Sequence, residues 1–100
     1  MSLSLDFSGK KILVTGGTRG IGKRIATQFL INGGDVTITG TKFIDESKLK
    51  KDWGFENINF KRVDFLQKES VSKFIDWINN QKKIDILVNN AGINLSLIHI

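Results

Sequence analysis

Four short runs suited to strands alternate with three segments of helical period, and that alternation restricts the chain to a small set of architectures. Lys11-Ile12-Leu13-Val14-Thr15 is an apolar run closed by glycines, as expected of a strand buried on both faces. Between Gly20 and Asn32, the residues Ile21, Ile25, Ala26, Phe29 and Leu30 follow helical spacing, and Gly33-Gly34 supplies a stop. Val36 to Thr39 is β-branched throughout and predicts a second strand. Residues 44–53 carry a weaker helical pattern, in which Ile44, Leu49 and Trp53 share a face only loosely. Ile58 to Val63 predicts a third strand. Asp64, with Gln67 three positions on, predicts a capped helix start before Val71, Phe74, Ile75 and Ile78, which step along one helical face. Ile84 to Val88 predicts the fourth strand. Strands alternating with helices imply parallel pairing through right-handed crossovers, with helices on both faces of one sheet. Trp53 and Trp77 fall within helices and read as packing residues.

Composition narrows the function classes. The chain has 100 residues, 40% hydrophobic and 25% charged, an ordinary composition for at most one soluble domain. A chain of this size buries about 60–65% of its unfolded surface, so its core is modest. No apolar run approaches the ~20 residues of a membrane span. The start, MSLSLDFSGKK, lacks the order of a secretory leader. There are no cysteines, which excludes disulfides and thiolate sites and suits a reducing, cytoplasmic compartment. The formal net charge is +5, but the basic residues fall in ones and twos, as on a solvated surface and not as in a nucleic-acid-binding block. No nucleic-acid or membrane partner is expected.

The chemical signal is Thr15-Gly16-Gly17-Thr18-Arg19-Gly20-Ile21-Gly22, placed between the first strand and the first helix. Glycines permit the tight turn and let a pyrophosphate approach the backbone, and the helix start offers N–H groups and a partial positive charge. With strand, loop and helix in that order, the pattern predicts dinucleotide binding.

TGGTRGIG resembles the TGxxxGxG motif of the classical short-chain dehydrogenases/reductases, and Asn89-Asn90-Ala91-Gly92 resembles that family's NNAG motif. The extended branch of the family places its glycines as TGxxGxxG, and Arg19 stands where that pattern wants glycine. The resemblance covers residues 6 to 94 and implies a Rossmann-type doubly wound parallel sheet, here reaching only the fourth strand, in the spatial order 3-2-1-4. It also implies site roles. Gly16, Gly20 and Gly22 shape the pyrophosphate loop, which Thr18, Arg19 and Ile21 line. Asp64 meets the adenine amino group beside the backbone of Phe65. Asn90 sits by the ribose next to Ala91, while Asn89 and Gly92 secure their loop.

Cofactor choice follows from charge. Sites that prefer NAD(H) place a carboxylate near the end of the second strand for the ribose 2′-hydroxyl. Here that stretch is Thr39-Gly40-Thr41-Lys42, with no carboxylate before Asp45. Arg19 and Lys42 would attract a 2′-phosphate, and Thr41 could add a hydroxyl hydrogen bond, so NADP(H) is expected over NAD(H). On this reading, Gly40→Asp should shift preference towards NADH.

The family resemblance assigns proton donation to a tyrosine, with a lysine four residues later and a serine that orients the substrate. The sequence holds no tyrosine, and its one histidine, His99, lies in the apolar tail. The chain alone is therefore expected to be inactive, with residues 1–94 forming the N-terminal part of the dinucleotide-binding domain. The intact parent is expected to be a homo-oligomeric NADP(H)-dependent oxidoreductase that interconverts a small-molecule carbonyl and alcohol. A non-catalytic nucleotide-sensing module is the alternative. Leu95-Ser96-Leu97-Ile98-His99-Ile100 is what CTG-TCT-CTT-ATA-CAC-ATC encodes, which resembles the end of a transposon-based sequencing adapter, so residues 95–100 are read as non-native.

Overall fold

A computed structural model describes residues 5–92. Seven elements follow the expected order: β1 (Lys11–Val14), α1 (Gly20–Ile31), β2 (Asp35–Gly40), α2 (Glu46–Trp53), β3 (Ile58–Arg62), α3 (Lys68–Asn79) and β4 (Ile86–Val88). The strands form one parallel sheet in the order β3-β2-β1-β4. The expectations for residues 93–100, including the tail and His99, lie outside the described residues.

Alternation along the central strands sends side chains to opposite faces. Ile12, Val14, Val36, Ile38 and Ile58 point to one face, where Ala26 and Leu30 of α1 and Leu49 of α2 close over them. Trp53 packs at the margin of this cluster, with Lys23 above its ring at 4.9 Å. Leu13 points the other way, into a smaller core with Val63, Phe74 and Ile78. Trp77 joins that core and stacks on Phe74 at 6.1 Å. Both tryptophans are packing residues.

Helix ends explain most boundary shifts. α1 stops where Gly33 takes a positive φ of 89°, a conformation that glycine adopts at little steric cost. The loose pattern at 44–53 resolves into a helix capped by Asp45, whose side chain accepts the N–H of Ser47 at 2.9 Å. The capped start expected at Asp64 does not form. α3 begins at Lys68, with Gln67 at the N-cap position giving no side-chain cap. Asp64 instead accepts the N–H of Leu66 at 3.0 Å, making a local turn, and its own N–H donates to Ser70 Oγ at 2.9 Å. An aspartate two residues from a free N–H closes an Asx turn as readily as it caps a helix.

The two sheet edges differ. At β3, Glu46 Oε1 accepts the outward N–H of Phe60 at 3.1 Å, and Lys50 Nζ donates to Glu56 O at 2.6 Å. Glu46 thus occupies an edge group of β3 that would otherwise template another strand, while Glu56 lies just before β3. At β4, Ile84, Ile86, Leu87 and Val88 are only half-buried. β4 is also shorter than expected, because Asp85 uses its carboxylate as well as its backbone: Oδ2 accepts the N–H of Lys11 at 2.8 Å, and its N–H donates to Lys11 O at 2.9 Å.

The Lys11 N–H, followed by Lys83 at 3.3 Å, holds the Asp85 carboxyl below its ordinary value of 3.8. A depressed carboxyl contributes stability above its unfolded value, and the contribution is lost as pH falls through the folded value. The wild-type unfolding midpoint should therefore drop as pH falls below 3.8. Asp85→Asn should flatten this part of the profile in acid denaturation; an unchanged profile would show that Asp85 contributes nothing. Among the described residues, no helix is long and apolar enough to cross a membrane.

Candidate functional site

The C-terminal ends of β1, β2 and β4 bring together the segments singled out in the sequence. The β1–α1 turn doubles back with positive φ at Gly16 (67°) and Gly20 (60°). Its packing leaves no room for side chains at two further points. A Cβ on Gly17 would stand 2.7 Å from Ile38 Cγ2, and one on Gly22 would overlap Gly16 O and meet Asn90 Nδ2 at 2.6 Å. The turn is thus pressed against β2 on one side and against the first turn of α1 on the other.

Two buried threonines hold it there. Thr39 Oγ1 accepts the N–H of Gly16 at 3.0 Å, and Thr39 O accepts that of Gly17 at 3.1 Å. Thr15 Oγ1 accepts the N–H of Ala91 at 3.1 Å and has Asn89 Oδ1 at 3.2 Å and Val88 O at 3.4 Å as partners for its single proton. Asn90 Nδ2 donates to Gly16 O at 3.1 Å. The NNAG segment and the glycine turn therefore form one hydrogen-bonded unit. Asn89 Oδ1 meets Thr15 within it, and Gly92 takes a positive φ of 68° at its end. Asn90, expected at a ribose, is engaged with the turn itself.

Thr15, Gly17 and Thr39 lie within the stretches singled out in the sequence, but nothing there gives them a role of their own. Their signal was present only as strand-forming β-branched residues and an extra glycine. Thr15→Val keeps the shape and leaves the Ala91 N–H without its acceptor. Thr15 is buried but Ala91 is exposed, so the loss is that of an ordinary hydrogen bond, about 0.5–1.5 kcal/mol, and denaturant unfolding should show a loss of that size. No loss would mean that water or another acceptor replaces the hydroxyl.

The start of α1 carries neither a side-chain cap nor a negative charge. Its N-cap residue, Arg19, makes no side-chain cap, and its first turn holds no acidic residue. Beside it lies a cleft of about 390 Å³ lined by Thr18, Arg19, Gly40, Thr41, Lys42, Phe43 and Ile44. Its charged lining residues, Arg19 and Lys42, are both cationic. Ile21 is exposed at the helix start, at 69%. Asp64 and Phe65 follow the end of β3; Asp64 lines a separate cleft of about 670 Å³, and Phe65 packs edge-on against Phe74 at 5.8 Å. A further cleft of about 350 Å³ between the sheet and α3, lined by Lys11, Thr37, Asn59 and Trp77 among others, has no glycine turn. Among the described residues, no group of three or more His, Asp or Glu side chains is placed to hold a metal.

Sheet order, crossovers and the glycine turn at a strand end define a Rossmann-type α/β unit. The family model for short chain dehydrogenases matches residues 10–99, and the chain belongs to that family. It is 43% identical over 97 residues to the 3-oxoacyl-[acyl-carrier-protein] reductase FabG of Chlamydia pneumoniae, with 91% of this chain and 38% of the relative covered. It is 37% identical over 87 residues to the NADP-dependent 3-hydroxy acid dehydrogenase YdfG of Salmonella typhi, covering 86% of this chain and 35% of that protein. Among solved structures, the Pseudomonas aeruginosa RhlG/NADP active-site complex superimposes with a TM-score of 0.75 at 27% identity, over 93% of this chain and 38% of that one. The chain thus spans well under half the length of these relatives.

Proposed function

We propose that this chain supplies the dinucleotide-holding part of an NADP(H)-dependent oxidoreductase that interconverts a carbonyl and an alcohol. The observation that carries the reading is the glycine cradle, closed at Gly22 by Gly16 O and Asn90, with a cleft beside it whose charged groups are all cationic. Gly16, Gly20 and Gly22 keep the backbone clear for the pyrophosphate, and the uncapped start of α1 supplies N–H groups and positive potential. Thr18 and Ile21 line that path. Arg19, Lys42 and Thr41 take the 2′-phosphate, which disfavours NAD(H) without excluding it. Asp64 and the Phe65 backbone receive the adenine, and Asn90 with Ala91 and Gly92 forms the floor beneath the ribose and nicotinamide.

When bound, the cofactor supplies or accepts the hydride. The residues described here hold and orient it. Similarity to the 3-oxoacyl reductase FabG and the 3-hydroxy acid dehydrogenase YdfG supports 3-oxoacyl or 3-hydroxy acid derivatives as the substrate class. The setting proposed is cytoplasmic, and the working form is a homo-oligomer.

The test is turnover by the full-length protein that carries this chain, followed through nicotinamide absorbance with a panel of 3-oxoacyl thioesters and simple ketones. NADPH-dependent reduction is expected. NADPH binding without turnover on any carbonyl, in a protein lacking Tyr-x-x-x-Lys beyond residue 94, would overturn the enzyme reading in favour of a nucleotide sensor.

A further inference from the structure

Gly40 ends β2 at the place where an NAD(H)-preferring site presents its carboxylate. Charge alone suggests that an aspartate there would be accepted, but the packing says otherwise. A Cβ on Gly40 would stand 2.7 Å from Thr18 Cγ2, 3.3 Å from Phe60 Cε1 and 3.5 Å from Thr18 Oγ1. We propose that Thr18 is a steric gate on cofactor choice: its methyl group fills the space that any side chain at position 40 must enter. The inference rests on the dinucleotide reading above and deepens it, because it gives the cofactor preference a packing cause as well as an electrostatic one.

Neither partner has an easy way out. Thr18 follows Gly17, whose N–H is tied to Thr39 O at 3.1 Å, and Gly16 is tied to Thr39 Oγ1 at 3.0 Å. The turn is therefore fastened to the strand that carries Gly40 and cannot lift away from it. A β-branched side chain has few χ1 alternatives, so the methyl cannot swing aside freely. On the far side, Phe60 of β3 stands in register with Ile38 and limits any shift of the strand. Phe60 is also a neighbour of the added atom, so the new side chain would be squeezed between two elements. With position 40 held to glycine, the 2′ position is left to Arg19, Thr41 and Lys42. Thr18→Ala removes Cγ2 and Oγ1 and leaves the Phe60 contact, which needs a movement of only a few tenths of an ångström.

The test is a double-mutant cycle in the full-length protein: wild type, Gly40→Asp, Thr18→Ala and the double mutant. Tm is measured without nucleotide, and Kd is measured for NADPH and NADH. Gly40→Asp alone is expected to lower Tm and to weaken both nucleotides. Against that single mutant, the double mutant should regain Tm and bind NADH about tenfold or more tightly, the scale of one charge-assisted hydrogen bond. If Gly40→Asp does not fold, Gly40→Ala with and without Thr18→Ala gives the same Tm cycle with the smallest possible Cβ. Wild type binding neither nucleotide would overturn the dinucleotide reading and the gate together. Wild type binding NADPH, with the single mutant at wild-type Tm or the double mutant gaining nothing over it, would overturn the gate alone.

Discussion

Gly22→Ala is expected to destabilise the protein by about 1–3 kcal/mol and to abolish measurable NADPH binding. The added Cβ overlaps Gly16 O, a backbone atom, and reaches Asn90 Nδ2 at 2.6 Å. Neither can step aside cheaply. Gly16 is held by Thr39, and Asn90 already donates to the same Gly16 oxygen at 3.1 Å. Relief requires the turn to separate from α1, which breaks the Asn90 bond and moves the N–H groups meant for the pyrophosphate. Overpacking costs about 1–3 kcal/mol, and the Asn90–Gly16 bond, being exposed, adds little because water can replace it. Thermal unfolding and NADPH titration check this directly. A variant with wild-type Tm and affinity would mean that the cradle is looser than its contacts indicate.

Arg19→Ala should weaken NADPH about ten- to a hundredfold while changing NADH little, the loss of one charge-assisted phosphate contact worth about 1.5–3 kcal/mol. The side chain is exposed and gives α1 no side-chain cap, so alanine removes charge without removing helix support. The remaining link, Lys23 N–H to Arg19 O at 3.2 Å, is backbone to backbone and survives the change. Paired Kd measurements for the two nucleotides decide it. Equal losses would assign Arg19 to bracing the turn and not to reading the 2′-phosphate.

Element order and topology were readable in the sequence because they rest on period and on glycine placement, both local properties. The strand runs at Ile12–Val14 and Val36–Thr39 and the face formed by Ala26 and Leu30 all appear as expected. What escaped depends on partners distant in the chain. Thr15 closes the first strand run and heads the glycine motif, but nothing local shows that its hydroxyl serves the Asn89–Ala91 segment. Thr39 stands in the β-branched run and heads the stretch weighed for cofactor choice, and nothing local shows that its oxygen faces the glycine turn. Asp64 and Gln67 had the right spacing for a cap, yet the nearer Leu66 N–H captured the carboxylate. Gly40 showed no local reason to remain glycine, and only the contact with Thr18 supplies one.

The most direct test of where the dinucleotide lies is amide hydrogen exchange of the full-length protein with and without saturating NADPH. Protection is expected in the segment from Thr15 to Gly22, at Thr41 and Lys42, and from Asn89 to Gly92, the stretches that the hydrogen bonds of Thr15, Thr39 and Asn90 gather at one end of the sheet. Protection confined to the cleft lined by Lys11, Thr37, Asn59 and Trp77, with none in the glycine turn, would contradict the account.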